Sequence, residues 1–573
     1  MHNQLNSRDY IVFFIYFVIV ASYGYWVYQR KRKKVADTHD FFLAEGSLTW
    51  WAIGASLIAS NISAEQFIGM SGNGFFVGIA VSAYEWIAAI ALIIVAVFFM
   101  PIYLKNKIFT MPQFLKMRYN ETVGLIMTIF WLLLYVLVNI TSIMYLGALA
   151  INNLTGGQHL HAIMIALSIF AIVITLGGMK VIGYTDVIQV LVLIIGGLAT
   201  TYIALTMVSE KFGLGKDALA GFNQLLKDAP DHFHMIFSKP DATTPQNDIN
   251  KYLILPGIAM YFAGQWVVNL NYWGCNQYIT QRALGANLQT ARTGILFAAL
   301  LKLMMPVIVM LPGIAAYVLY KNGSLQTEMS LGGKFNPDNA YSSVLQFLPN
   351  GFKGLSIAAL TAAIVASLAG KANSISTIFT LDIYKKYISK NSSEKQMVWV
   401  GRIAILAAMF FSIAFTWDDL LHISSEGGFT YIQKYTGYIS PGIFAMFIFG
   451  MFWKRTTGSA AIVGLITGLV VAIIFNDFAT QWFGHETIFY TAFKTQRLVH
   501  GVMTDVWEVP FLISMGWSFF FTALAMIGVS LAGPKVNPKA FALDAEMFKL
   551  KPSSVVLIIL ILLILLGLYV KFW

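Results

Sequence analysis

Cysteine and charge are both scarce in this chain. One of its 573 residues is cysteine, Cys275, so no internal disulfide can form and the thiol count says nothing about redox compartment. Charged residues make up only 11%, roughly half the share expected of a soluble protein. Catalytic signatures are missing too: there is no Walker motif, no CxxC and no G-x-S-x-G. The stretches at 209–250, 321–353 and 477–507 are too short for independent enzymatic domains, and no nucleophile–base set stands out, so the chain is not expected to be an enzyme. What is present is hydrophobic, 58% of the sequence. Apolar runs of about 20 residues, enough to cross a bilayer, recur from Tyr10 to the C-terminus. They lack the polar–apolar alternation of a membrane β-barrel. The net charge of +11 suits cytoplasmic loops of a membrane protein better than nucleic-acid binding.

Spans are predicted at 10–28, 50–72, 78–103, 123–151, 160–177, 182–208, 251–276, 292–320, 355–384, 398–416, 430–452, 458–476, 508–532 and 553–572, about fourteen transmembrane helices in an all-α membrane protein. Basic residues support that count. Arg30 to Lys34 follow the first span, as in a signal-anchor with its N-terminus outside. Alternate loops then carry Lys105, Lys107, Lys116 and Arg118; Lys180; Arg282 and Arg292; Lys385, Lys386, Lys390, Lys395 and Arg402; Lys454 and Arg455; and Lys535, Lys539, Lys549 and Lys551. The opposite loops are poorer in base, and 209–250 holds four lysines against six acids. Both termini are predicted outside, in a multi-pass protein of the cell membrane, an inner membrane by its short loops.

A few spans are costly. Asn61, Glu65 and Gln66 lie in 50–72, Glu85 in 78–103 and Asp186 in "GYTDVIQV". In the second half, Gln265 and Asn269 are followed by Asn271 and Asn276, then come Lys302, Lys371, Gln433 and Lys434. A lone asparagine or serine commonly joins helices, but a charge at a helix centre costs roughly 2.5–3.5 kcal/mol on insertion scales. With 50–72 taken as the first core helix, the first and sixth are the polar, interrupted members of two five-helix blocks. That is the pattern of a five-plus-five inverted repeat, with discontinuous helices around a site at mid-membrane. The predicted divisions of one transporter domain are an extra helix at 10–28, repeats at 50–208 and 250–452, and extra helices at 458–573.

Asn61, Gln66, Glu85, Asn269, Lys302 and Gln433 offer donors and acceptors together, which suits a neutral polyol. A carboxylate substrate would call for a surplus of donors, and these spans are expected to hold no buried arginine. Tyr84, Tyr272, Trp273 and Phe429 could cover the apolar face of a sugar ring. A driving cation would find the Ser367 hydroxyl and the carbonyls of a break at Ala59 to Ile62. One charge moving down 100 mV releases about 2.3 kcal/mol, roughly 40-fold accumulation.

Long motifs carry a resemblance over nearly the whole chain, weakening after about 455: "WWAIGASLIASNISAEQFIGMSGNG", "YEWIAAI", "NLNYWGCNQYITQR", "LPGIAAYV", "GKANSISTIFTLDIYKKYI" and "YIQKYTGYISPGIFA". The sequence resembles the sodium/solute symporter family, in its sodium/glucose-galactose branch. The resemblance implies sodium-coupled symport of a monosaccharide by alternating access. It implies sugar contacts at Asn61, Gln66, Glu85, Asn269, Lys302 and Gln433, an inner gate at Tyr272, and an outer gate at Met70, Tyr84 and Phe429. Sodium would be held by the carbonyls of Ala59, Ile62 and Ala363 and by the Ser367 hydroxyl, with Asp186 on its exit route.

Three positions depart from the pattern. Ala88 stands for a sugar-touching serine, Asn271 for a tyrosine beside the gate, and Ala366 for one of two sodium-binding serines. Lys371 lies four residues after Ser367 on the same helical face. It is expected to pair with Asp186, to take the place of sodium in a proton-coupled or uncoupled transporter, or to snorkel to the cytoplasmic end of its helix. A sugar sensor of the same fold, binding without transport, is the other class to separate.

Overall fold

The computed structural model describes residues 5–31, 38–44, 46–155, 159–330, 335–417, 433–434, 436–499 and 502–573. Helix dominates because hydrocarbon leaves backbone amides no partner but their own carbonyls. Ten helices are long and apolar enough to cross a membrane, from Ser7–Arg30 to Pro552–Phe572. Four further segments lie among the described residues. The pair Gln246–Phe262 and Gly264–Cys275 is bent by 84°, and Leu160–Thr175 and Ser440–Phe452 are shorter apolar helices. The Trp50–Asn61 helix is interrupted before Glu65–Met70 and Ser71–Phe76 continue it. Fourteen segments result, the number the hydropathy and loop charge predict.

The ends of the chain agree with an even number of crossings. Met235 donates its amide to the Phe572 carbonyl at 2.8 Å, and His234 Nδ1 lies 3.2 Å from the Trp573 oxygen. Near the other terminus, Asp9 Oδ1 accepts from the amides of Gly351 (2.7 Å) and Gly354 (3.1 Å). The 209–250 and 321–353 loops and both chain ends therefore share one face. On the opposite face Lys105 pairs with Asp544, and Arg292 Nη1 donates to the Lys549 carbonyl at 2.8 Å.

One predicted span is displaced. Apolar residues from 251 onward suggest a membrane segment, but the chain turns sharply at Ala263 (φ −117°, ψ −118°). The sixth core helix starts at Gly264, which packs so closely on Leu512 that a Cβ there would lie 2.5 Å from its carbonyl oxygen. The same helix runs past its expected end, through a break at Asn276 into Gln277–Leu284.

Between the first and second core helices the chain folds under the 209–250 loop. Gly78 adopts φ 94°, and a Cβ there would meet the His232 carbonyl oxygen at 2.5 Å, so glycine is required by both backbone and contact. His232 is buried; its Nε2 lies 2.9 Å from the Phe75 carbonyl and its ring stacks on Tyr317 at 3.9 Å. Burial pushes its pKa down to about 4. The undocked loop therefore binds a proton before the docked one does, and docking is fully stable above about pH 6.5, the ordinary histidine value. Thermal stability of the wild type is expected to fall, relative to His232→Gln, as pH drops from about 6.5 toward 4. Parallel melting-temperature curves for the two proteins would contradict this.

Candidate functional site

Two broken helices face one another at mid-membrane. In the first core helix, Ile62 leaves helical geometry (φ −78°, ψ 118°). Gln66 reaches back over the break, and its Oε1 accepts from the Ser63 amide (2.9 Å) and hydroxyl (3.0 Å). The Ala59 carbonyl thereby loses its usual donor four residues on. In the sixth core helix, Asn276 is extended (φ −89°, ψ 131°). Each break adjoins a π-turn, Glu65–Met70 in one and Asn271–Cys275 in the other; such turns often mark functional sites.

A cavity opens between the breaks. Its wall includes Asn61, Gln66, Tyr84, Glu85, Asn269, Tyr272, Lys302 and Gln433. Lys302 Nζ is the centre of the polar wall: it donates to Asn61 Oδ1 and to Glu85 Oε2 and lies 5.2 Å from the Trp273 ring centroid. Asn61 Nδ2 donates in turn to the Tyr272 hydroxyl at 2.9 Å. Glu85, Lys302, Asn61 and Tyr272 so link the first, second, sixth and seventh core helices. Lys302 and Glu85 are almost wholly enclosed, which makes each the other's neutralising partner. Asn269 Nδ2 is held by the Gln265 carbonyl (2.9 Å) and side chain (3.1 Å).

Below this wall lies a second polar layer. Ser56 donates to Asp186 Oδ2, and Arg282 Nε donates to the Ser56 hydroxyl (2.8 Å) and carbonyl (3.0 Å). Arg282 Nη2 is 3.9 Å from Asp186 Oδ2, both side chains fully buried. This arginine had been expected in a loop. Because the helix resumes after Asn276, it enters the protein instead, and Asp186 is paired with Arg282 rather than with Lys371. Lys371 does not snorkel. It is 4% exposed, its Nζ donates to the Ser367 hydroxyl at 2.8 Å and it lies 4.5 Å from the Tyr278 ring centroid. Ser367 Oγ donates to the Ser60 carbonyl at 3.1 Å.

Comparison with known proteins now bears on this arrangement. Residues 41–468 match the model of the sodium:solute symporter family. The chain belongs to that family. The symporter is 41% identical to a sodium/glucose cotransporter of Vibrio parahaemolyticus, over 100% of this chain and 99% of that one. It is 34% identical to a human sodium/myo-inositol cotransporter 2, over 82% of this chain and 70% of the relative. A substrate-bound, outward-open sodium-coupled sialic acid symporter has the same fold, with TM-score 0.73 and 20% identity over 93% of this chain and 99% of that one. The symporter is thus a nearly all-helical, multi-pass membrane protein, with one antiparallel hairpin (Phe493–Val499 and Val502–Glu508), built on a five-plus-five inverted repeat with a discontinuous first and sixth core helix.

Not every residue expected at the symporter's site lines the cavity. Tyr84 does, whereas Met70 is buried on its π-turn and does not line the cavity. Phe429 lies outside the described residues. Ala59, Ile62, Ala363 and Ser367 are all buried around the first break, and Ala366 brings no hydroxyl there. Ala88 lines the cavity, and so does Asn271, whose Nδ2 donates to the Ser440 hydroxyl at 3.0 Å. Trp131 and Asn139 also line it and were not anticipated. The one available signal was a lone amide in "LLYVLVNITSIMYL".

Stranding the Glu85 charge should be expensive. Lys302→Met is expected to destabilise the symporter by about 3–5 kcal/mol, read as a lowered melting temperature. Adding Glu85→Gln should restore at least half of the loss. Equal melting of wild type and single variant would show that the pair is not mutually dependent.

Proposed function

We propose that this protein couples inward sodium flow to uptake of a monosaccharide, glucose- or galactose-like, by alternating access across the cell (inner) membrane, with both termini outside. The observation that carries the reading is the cavity wall: amides, the carboxylates of Glu65 and Glu85 and the ammonium groups of Lys302 and Lys371, donors and acceptors in balance beside Tyr272 and Trp273. Each sugar hydroxyl both donates and accepts, so such a wall can satisfy a polyol. The full-length likeness to a bacterial sodium/glucose cotransporter supports the same reading. Asn61, Gln66, Glu85, Asn269, Lys302 and Gln433 are the proposed sugar contacts. Tyr272 is the proposed inner gate, and Met70, Tyr84 and Phe429 the proposed outer one. The two repeats, 50–208 and 250–452, rock about the site, and each ligand favours the same conformer.

Sodium is a transported substrate in this scheme. Its proposed ligands are the carbonyls of Ala59, Ile62 and Ala363 and the Ser367 hydroxyl, with Asp186 along its way out. The Ala59 carbonyl suits this role because Gln66 has taken the Ser63 amide from it. A second reading rests on Lys371, whose ammonium bonds the Ser367 hydroxyl beside that break. There it serves as a tethered cation, and sugar moves without sodium.

Uptake of labelled hexoses and inositol into proteoliposomes, with sodium outside only, inside only or absent, tests the proposal. Accumulation is expected only with sodium outside. Sodium-independent uptake would favour the tethered cation, and binding without counterflow exchange would make the protein a sensor. Gln433→Glu and Lys302→Ala are each expected to weaken sugar binding about tenfold or more, and unchanged affinity in both would move the sugar site elsewhere.

A further inference from the structure

A second groove opens toward the lipid, well away from the sugar cavity. It runs between the N-terminal helix, the Leu160–Thr175 helix and the start of Met179–Lys211, and it ends at Arg402. Its lining is largely aliphatic, with Val20, Ala21, Val173 and Val181, joined by Tyr25 and Tyr28. None of the described residues lining it is acidic.

Arg402 is the anomaly. Its Nε is enclosed and has no hydrogen-bond partner among the described residues, and its guanidinium lies 5.7 Å from the Phe41 ring centroid. Hydrocarbon cannot satisfy that donor, and leaving it unmet costs free energy. On the N-terminal helix nearby, Arg30 rests over Trp26 at 4.9 Å, and the sequence continues Lys31, Arg32, Lys33, Lys34. The groove therefore has an apolar trough with the Arg402 guanidinium at one end. A phosphodiester with net negative charge matches the planar arginine fork, and basic pockets between helices suit anionic head groups.

We propose that this groove binds an anionic phospholipid of the leaflet facing the basic loops, with its phosphate on Arg402 and one acyl chain along Val20, Ala21 and Val173. The lipid completes the seam between the extra N-terminal helix and the core, and it is independent of which sugar or ion is carried.

Native mass spectrometry of the full-length protein titrated with phosphatidylglycerol or phosphatidylcholine tests the site. The wild type is expected to retain phosphatidylglycerol about fivefold more strongly than Arg402→Gln, while the two retain phosphatidylcholine alike. Arg402→Lys should keep most of the preference. Ala21→Phe, which fills the trough and leaves the charge in place, should lower phosphatidylglycerol retention as well. If Arg402→Gln does not fold, Arg402→Lys and Ala21→Phe decide the matter. Undiminished phosphatidylglycerol retention in Arg402→Gln or in Ala21→Phe, or equal retention of both lipids by the wild type, would overturn the proposal.

Discussion

Water is absent from the middle of a bilayer, so each polar group placed there must be answered by another part of the protein. The Lys302 ammonium meets this constraint most severely. It lies in an apolar stretch of its helix, and it is tolerated because Glu85 and Asn61 approach it from two other helices. That requirement fixes how four helices meet. It brings the break at Ile62 opposite the break at Asn276, and the cavity is the space left between them. A guest in that space must take up hydrogen bonds that the wall already makes with itself, so an apolar molecule of the same size would have little to offer.

The polar groups are arranged in layers. The upper layer, around Lys302, faces the cavity. The lower one, around Asp186, Ser56 and Arg282, is closed and neutralised internally. Lys371 lies between them, tied to the hydroxyl of Ser367 at the broken end of the first core helix. Separate compensation within each layer lets one rearrange without stranding charge in the other. The π-turns beside both breaks supply backbone that can change its pairing at modest cost.

Much of this could be read before any coordinates. Composition and loop charge predict fourteen segments, and amides clustered in otherwise apolar runs single out the first and sixth core helices. Direction was less legible. Apolar content reports that a residue avoids water, not that the chain turns at Ala263, so the sixth core helix was placed too early. Arg282 looked like a loop cation because it follows a break, and nothing local shows that the helix resumes there. Pairing of Lys371 with Asp186, one of three expectations for that lysine, fails for a related reason. Arg282 is nearer to Asp186 in sequence than Lys371 but neither is close, and only the packing of the helices decides between them. Trp131 was hidden among aromatics that mostly serve packing.

Cys275 has a consequence beyond the absence of disulfides. It is buried in the π-turn next to Asn276, where its thiol faces the Leu270 carbonyl. Since no other thiol exists in the chain, the native protein carries a chemical reporter at the hinge of its sixth core helix, on a background that needs no cysteine removal. Reagents entering from either side of the membrane would register which half of the hinge has loosened, and how often, in a molecule otherwise left as it was.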